Sequence, residues 1–115
     1  MFVDNSKEAI AVIKKNVELC SAKDKAEIRN MDYELAIKKS LSMHETFDLI
    51  FVDPPYSKEI SEDVLNKIEP LLANNGTLII ETDEKDFLSD RVGNLVKADV
   101  RRYGRTIISF FVREE

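Results

Sequence analysis

Glycine is scarce in this chain: three in 115 residues, Gly76, Gly93 and Gly104, with none in the first 75 positions. A glycine-rich turn that lets a backbone approach a nucleotide needs several glycines within a few residues, so these 115 residues encode no such loop. Cysteine and histidine are scarcer still. Cys20 stands alone and cannot form an internal disulfide, and with His44 as the one histidine a Cys/His metal site is not expected. No apolar stretch approaches a membrane span and no signal-peptide pattern opens the chain. These absences point to a reducing, cytoplasmic setting. Positive charge is also short: 17 Lys and Arg against 22 Asp and Glu give a net charge of −5, the reverse of the basic footprint common in nucleic-acid binders.

What remains suits one compact domain over residues 1–115, with 43% hydrophobic residues available for its core. Phe2-Val3 reads as the end of a strand. Asn5 and Glu8 form a capping-box pattern before a helix over 6–20, whose Ala9, Ile10, Ile13, Val17 and Cys20 recur at helical spacing. Residues 26–30 read as a short strand. Asp32 caps a second helix with Tyr33, Ala36, Ile37 and Leu41 facing inward. The apolar run Phe47 to Val52 reads as a buried strand. Ser61 opens a third helix with Val64, Leu65, Ile68, Leu71 and Leu72 inward, ended or distorted by Pro70. Asn74-Asn75-Gly76 reads as a turn, Thr77 to Thr82 as another buried strand, and 86–91 as a short helix. Leu95–Tyr103 and Thr106–Val112 form a hairpin about Gly104. Strands alternating with helices imply an α/β fold with an open, mainly parallel sheet and a terminal antiparallel hairpin. Lys97, Arg101, Arg102 and Arg105 crowd this hairpin against one acid, Asp99. Two readings stand side by side, a solvated edge blunted against aggregation and a phosphate-contacting surface.

The most informative residues are Asp53-Pro54-Pro55-Tyr56, at the carboxyl end of the third strand. Ligands in open α/β sheets bind beyond the carboxyl ends of the strands. Proline has no backbone N–H, so the segment offers carbonyls with few competing donors. Aspartate adds an anionic acceptor and tyrosine a flat face. That set suits an exocyclic amine on a planar base. The plainer alternative is punctuation, a strand stop followed by a turn. Asp4 ends the first strand and Asp32 follows the second. Either has a bland role near a helix cap, but with Asp53 they make a row of acids at one rim.

These residues resemble the S-adenosylmethionine-dependent amino-methyltransferases of the Rossmann-like class, and among them the bacterial 16S ribosomal RNA guanine-N2 methyltransferases. The likeness rests on Phe2-Val3-Asp4, Asn30-Met31-Asp32, the run from Phe47 to Tyr56, Gly76 to Glu81, and Tyr103-Gly104-Arg105-Thr106. It implies transfer of a methyl group from S-adenosylmethionine to the N2 amine of a guanine in 16S rRNA. Carried over by position, Asp4 accepts from the cofactor ribose hydroxyls, and Asp32 with the Met31 backbone faces the adenine. Asp53 and the Pro54 carbonyl hold the target amine, Pro55 completes the segment and Tyr56 stacks on the guanine. The partner would be ribosomal RNA or the assembling small subunit.

The chain departs from this family in one large respect. The family's sheet begins with a further strand and a glycine-rich turn, which this sequence does not contain, and the family's amino-terminal RNA-gripping extension is missing too. Arg105 stands where relatives often carry an acid. The expectation is therefore a truncated, carboxyl-terminal portion of a methyltransferase domain. Because the absent strand would lie between the Asp4 strand and the Asp53 strand, apolar edges should be exposed, favouring pairing with a second copy, strand exchange or movement of the Phe2-Val3 segment. The alternatives are a DNA adenine-N6 amino-methyltransferase and a non-catalytic interaction module of the same fold.

Overall fold

The computed structural model describes residues 1–53 and 58–114. The chain forms two compact units, residues 1–43 and 44–115.

The first unit runs β1 (Phe2–Asp4), α1 (Lys7–Leu19), β2 (Ile28–Asn30) and α2 (Tyr33–Ser42). The two strands pair in parallel, Phe2 beside Ile28 and Asp4 beside Asn30, as a helical crossover requires. The amino-terminal cap of α1 is Ser6, not Asn5: its hydroxyl accepts from the Ala9 N–H at 3.3 Å, while Asp4 Oδ1 accepts from the Ser6 N–H at 2.9 Å. Asp32 caps α2 as expected, accepting from the Glu34 N–H. Ile10 and Val17 of α1 and Ala36 and Ile37 of α2 are buried. Leu41, expected inside, is exposed, and Ser40 takes the inward position instead. The reason is Arg29, buried on β2, which donates to Ser40 Oγ at 3.0 Å and pairs with Glu27 at 3.0 Å. A buried guanidinium needs acceptors, so the helix turns a hydroxyl toward it.

The second unit contains β3 (Phe47–Val52), α3 (Lys58–Ile68), a 3₁₀ turn (Glu69–Leu71), β4 (Leu72–Asp83), a second 3₁₀ turn (Glu84–Asp86), β5 (Arg91–Val92), β6 (Leu95–Tyr103) and β7 (Thr106–Arg113). The strand order is β3-β4-β7-β6-β5. The β3–β4 pair is parallel and the others antiparallel, so this sheet is mixed. The α/β fold class is borne out, with a larger antiparallel share than a mainly parallel sheet implies. Leu65, Leu72, Leu78, Ile80, Leu88, Leu95 and Phe111 are almost wholly buried and form the centre of the core. Each contributes about 1.5–3 kcal/mol by leaving water. Pro70 ends α3, converting its continuation into the 3₁₀ turn. No helix among the described residues is long and apolar enough to cross a membrane.

Three expectations are corrected in this unit. The Asn74-Asn75-Gly76 turn lies inside β4. Its turn chemistry produces a bulge: Phe47 pairs with Leu72 but Leu49 with Thr77, so two steps on β3 match five on β4. Arg113 secures the bulge, donating to the Glu69 carbonyl at 2.6 Å and to Asn74 Oδ1 at 3.3 Å. The short helix over 86–91 is replaced by the 3₁₀ turn at Glu84–Asp86, capped by Asp83, and by β5. Finally, β3 is not buried. Only Val52 is inside, while Leu49 is 63% and Phe51 60% exposed, because β3 is an edge strand with β4 as its ladder partner. The five-stranded sheet therefore has an exposed apolar edge at β3.

Candidate functional site

In the first unit, the carboxyl ends of β1 and β2 bring three of the expected site residues together. Parallel pairing puts Asp4 beside Asn30, and the Met31 N–H donates to the Asp4 carbonyl at 3.0 Å. Asp32 follows at once as the cap of α2. Asp4 uses Oδ1 on the Ser6 N–H and Asp32 uses Oδ2 on the Glu34 N–H. These hydrogen bonds occupy one oxygen of each carboxylate. The remaining oxygens are hydrogen-bond acceptors near the carboxyl ends of β1 and β2, suited to hydroxyl and amine donors.

In the second unit, Asp53 follows the last residue of β3 and is exposed. It lines a recess of about 140 Å³ with Ser61, Glu81, Thr82, Asp83, Asp86 and Thr106. The register explains the grouping. Val52 pairs with Ile80, so one further step sets Asp53 next to Glu81. Asp83 pairs with Thr106, which brings the start of β7 to the same wall. Pro54, Pro55 and Tyr56 lie outside the described residues. Glu81 and Asp86 were not singled out from the sequence, although the apolar run ending at Glu81 ends in register with that ending at Asp53.

The β6–β7 turn stands next to Asp83. Gly104 has φ of 62° and Arg105 does not have a positive φ, the sign pattern of a type II′ hairpin with glycine in the first turn position. The Arg105 carbonyl accepts from the Glu84 N–H at 2.7 Å. Each arginine of the basic hairpin meets a carboxylate: Arg102 pairs with Glu84, Arg105 lies 3.6 Å from Asp83 and 3.8 Å from Glu84, and Arg101 lies 3.3 Å from Asp99. The hydrogen bonds that Arg101 donates, to Asp99 first and then to Tyr103, push its guanidinium pKa up. Arg101 also stacks 5.4 Å from the Phe110 ring centre. At the far side of the sheet, Arg91 holds the Glu114 carboxyl below its ordinary range by hydrogen bonding.

Comparison with known proteins decides the family. Residues 1–112 match the family described as Conserved hypothetical protein 95. The chain belongs to this family. Over 113 residues it is 28% identical to YlbH of Bacillus subtilis strain 168, provisionally named an rRNA methyltransferase, covering 96% of this chain and 61% of that protein. It superposes with a TM-score of 0.82 on a conserved hypothetical protein of Streptococcus pyogenes, at 27% identity over 97% of this chain and 69% of the other. The protein SMU.776, solved in complex with SAH, shares the fold at a TM-score of 0.76 and 16% identity, covering 95% of this chain and 37% of that one. The chain thus spans about three fifths of the length of YlbH. These findings bear out the resemblance to S-adenosylmethionine-dependent methyltransferases read from residues 2–4, 30–32, 47–56, 76–81 and 103–106.

Proposed function

We propose that this chain acts in the transfer of a methyl group from S-adenosylmethionine to the exocyclic N2 amine of a guanine in 16S ribosomal RNA. Its setting would be the cytoplasm and its partner the rRNA of the assembling small subunit. The observation that carries this reading is Asp53, which lines a recess at the carboxyl ends of β3 and β4 and directly precedes Pro54-Pro55-Tyr56, in a chain 28% identical to a relative named for rRNA methylation.

The cofactor's nucleoside half would sit on the first unit. Asp4 would accept from the ribose hydroxyls through its uncommitted oxygen. Asp32 and the Met31 backbone would face the adenine amine. When bound, the cofactor supplies an electrophilic methyl group on a sulfonium. The chain's part in the chemistry is to hold the nucleophile. A guanine amine is a poor nucleophile because its lone pair is delocalised into the ring. The Asp53 carboxylate and the Pro54 carbonyl would accept both N–H bonds, favour a more pyramidal nitrogen and aim its lone pair. Orientation and electrostatics supply the rate gain, with no covalent enzyme intermediate. Asp53 need not be a strong base, since the proton leaves readily once the nitrogen carries positive charge. The base must leave its stack to enter the recess. Stacking on Tyr56 would contribute about 1–3 kcal/mol.

The test is a methylation assay with isotopically labelled S-adenosylmethionine and either 16S rRNA, small subunits or DNA, followed by nucleoside analysis. Labelled N2-methylguanosine is the expected product. Label in N6-methyladenine of DNA would replace this reading with the DNA-enzyme alternative. A third reading, a non-catalytic module, is favoured by one observation: no glycine precedes Gly76, so the methionine half of the cofactor has no glycine-rich turn in this sequence. Calorimetric titration with S-adenosylmethionine separates the two, because micromolar binding is incompatible with a module that has lost the cofactor.

A further inference from the structure

We propose that Glu81 reads the guanine ring beside Asp53 and sets the preference for guanine over adenine. This rests on the reading above. Four carboxylates line the recess, and they are not equivalent. Asp83 is committed: its Oδ1 accepts from the Lys85 N–H at 3.1 Å and its Oδ2 lies 3.6 Å from Arg105. Asp86 lines the recess from the 3₁₀ turn and not from the strand that pairs with β3. Glu81 is half-buried and, among the described residues, its carboxylate has no hydrogen-bond or ion-pair partner. It stands one register step beyond the Val52–Ile80 pair, on the strand adjacent to Asp53. Adjacent strands are about 4.8 Å apart, so the two acids form a paired acceptor set at the strand ends.

The chemistry of that pair is selective. The Watson–Crick edge of guanine presents N1–H and N2–H donors side by side. Adenine presents an amine donor next to N1, which is an acceptor. With Asp53 on the exocyclic amine, Glu81 accepts from guanine N1–H but opposes the adenine N1 lone pair. An unmatched polar group buried against a ligand is the strongest source of discrimination available to a binding site. A well-placed contact to a base edge is worth a factor of roughly 10 to 100 between bases.

Two base analogues separate the roles. Inosine keeps N1–H and lacks the N2 amine; 2-aminopurine keeps the amine and lacks N1–H. Fluorescence anisotropy with short labelled RNA hairpins, identical except for guanine, inosine, 2-aminopurine or adenine at one unpaired loop position, measures each affinity without cofactor. The wild-type chain should prefer guanine to every analogue. Glu81→Gln should erase most of the guanine-over-2-aminopurine preference and keep that of guanine over inosine. Asp53→Asn should do the reverse. Asp86→Asn should change neither, and circular dichroism melts of all three variants should match wild type. A wild-type chain that separates guanine from inosine but gives the same 2-aminopurine ratio before and after Glu81→Gln, or a ratio that moves with Asp86→Asn instead, overturns the assignment and leaves the amine-holding role of Asp53 intact. A wild-type chain indifferent to all four bases overturns both.

Discussion

Replacing Gly76 with alanine tests whether the β4 bulge fixes the geometry of the recess. A Cβ at this position would lie 2.7 Å from Leu72 Cδ1, 2.9 Å from the Asp48 carbonyl oxygen and 3.0 Å from the Ala73 carbonyl oxygen. Leu72 is fully buried, so its methyl has nowhere to swing. The two oxygens are backbone atoms of β3 and of the bulge itself. Overpacking of this kind costs about 1–3 kcal/mol. Alanine regains about 0.4–1 kcal/mol by restricting the unfolded chain. From the middle of each range the net loss is about 1.3 kcal/mol, or roughly 5–10 °C in Tm for a domain near this size. Thermal unfolding followed by circular dichroism measures it. Gly104 is the contrast: its added Cβ would meet nothing within 4 Å, so any loss in Gly104→Ala comes from the positive φ of 62° and not from packing. A Gly76→Ala variant melting at or above the wild-type temperature would refute the steric argument.

Asp53→Asn should leave stability within about 0.5 kcal/mol, because the side chain is exposed. In the methylation assay it should lower the rate by roughly 100- to 1000-fold, the scale of losing one preorganised polar contact; full activity would remove Asp53 from the mechanism. Leu49→Lys with Phe51→Lys should convert self-associating chain toward monomer in size-exclusion chromatography with light scattering, since lysine blunts an open strand edge. An equally monomeric wild type would show that the β3 edge does not drive pairing. Glu114 contributes stability that is present above its unfolded pKa and lost as pH falls through its lowered folded value. Tm measured against pH should therefore separate wild type from Glu114→Gln at neutral pH, and the curves should start to approach one another as pH falls through the ordinary glutamate range and meet below the lowered folded value; a constant offset would contradict the Arg91 pairing.

Local rules made much of this fold legible. Helical spacing located α1, α2 and α3 to within a few residues, because each buries one periodic face. The hairpin followed from Gly104 between two β-rich runs. The failures share one physical cause, that the environment of a residue is settled by distant partners. Asn74-Asn75-Gly76 has ideal turn chemistry, but its pairing with β3 and anchoring by Arg113 keep it within β4. Leu41 lost the inward position to Ser40 because Arg29, on another element, needed an acceptor. Leu49 and Phe51 have the composition of a buried strand, and nothing in their own sequence says on which edge of a sheet the strand lies. Asp53 was legible from its neighbours in sequence. Glu81 was not, since it joins Asp53 only through the ladder register.

The charge around the hairpin bears on how RNA would be held. Arg101, Arg102 and Arg105 are each matched to Asp99, Asp83 or Glu84, and the adjacent recess adds Asp53, Glu81 and Asp86. A phosphate approaching these arginines must displace a carboxylate that stays nearby and repels it. Exposed ion pairs are individually weak, about 0–1 kcal/mol, so the exchange is cheap per pair but yields little net attraction. On the proposed reading, affinity would then come from the base in the recess more than from the backbone. Each phosphate neutralised on a single strand adds about 0.7 to the slope of log affinity against log salt. The hairpin probes should therefore show a slope of magnitude below about 2. A slope of 3 or more would mean that the arginines leave their carboxylates for phosphate, and that the basic hairpin is itself part of the RNA-binding surface.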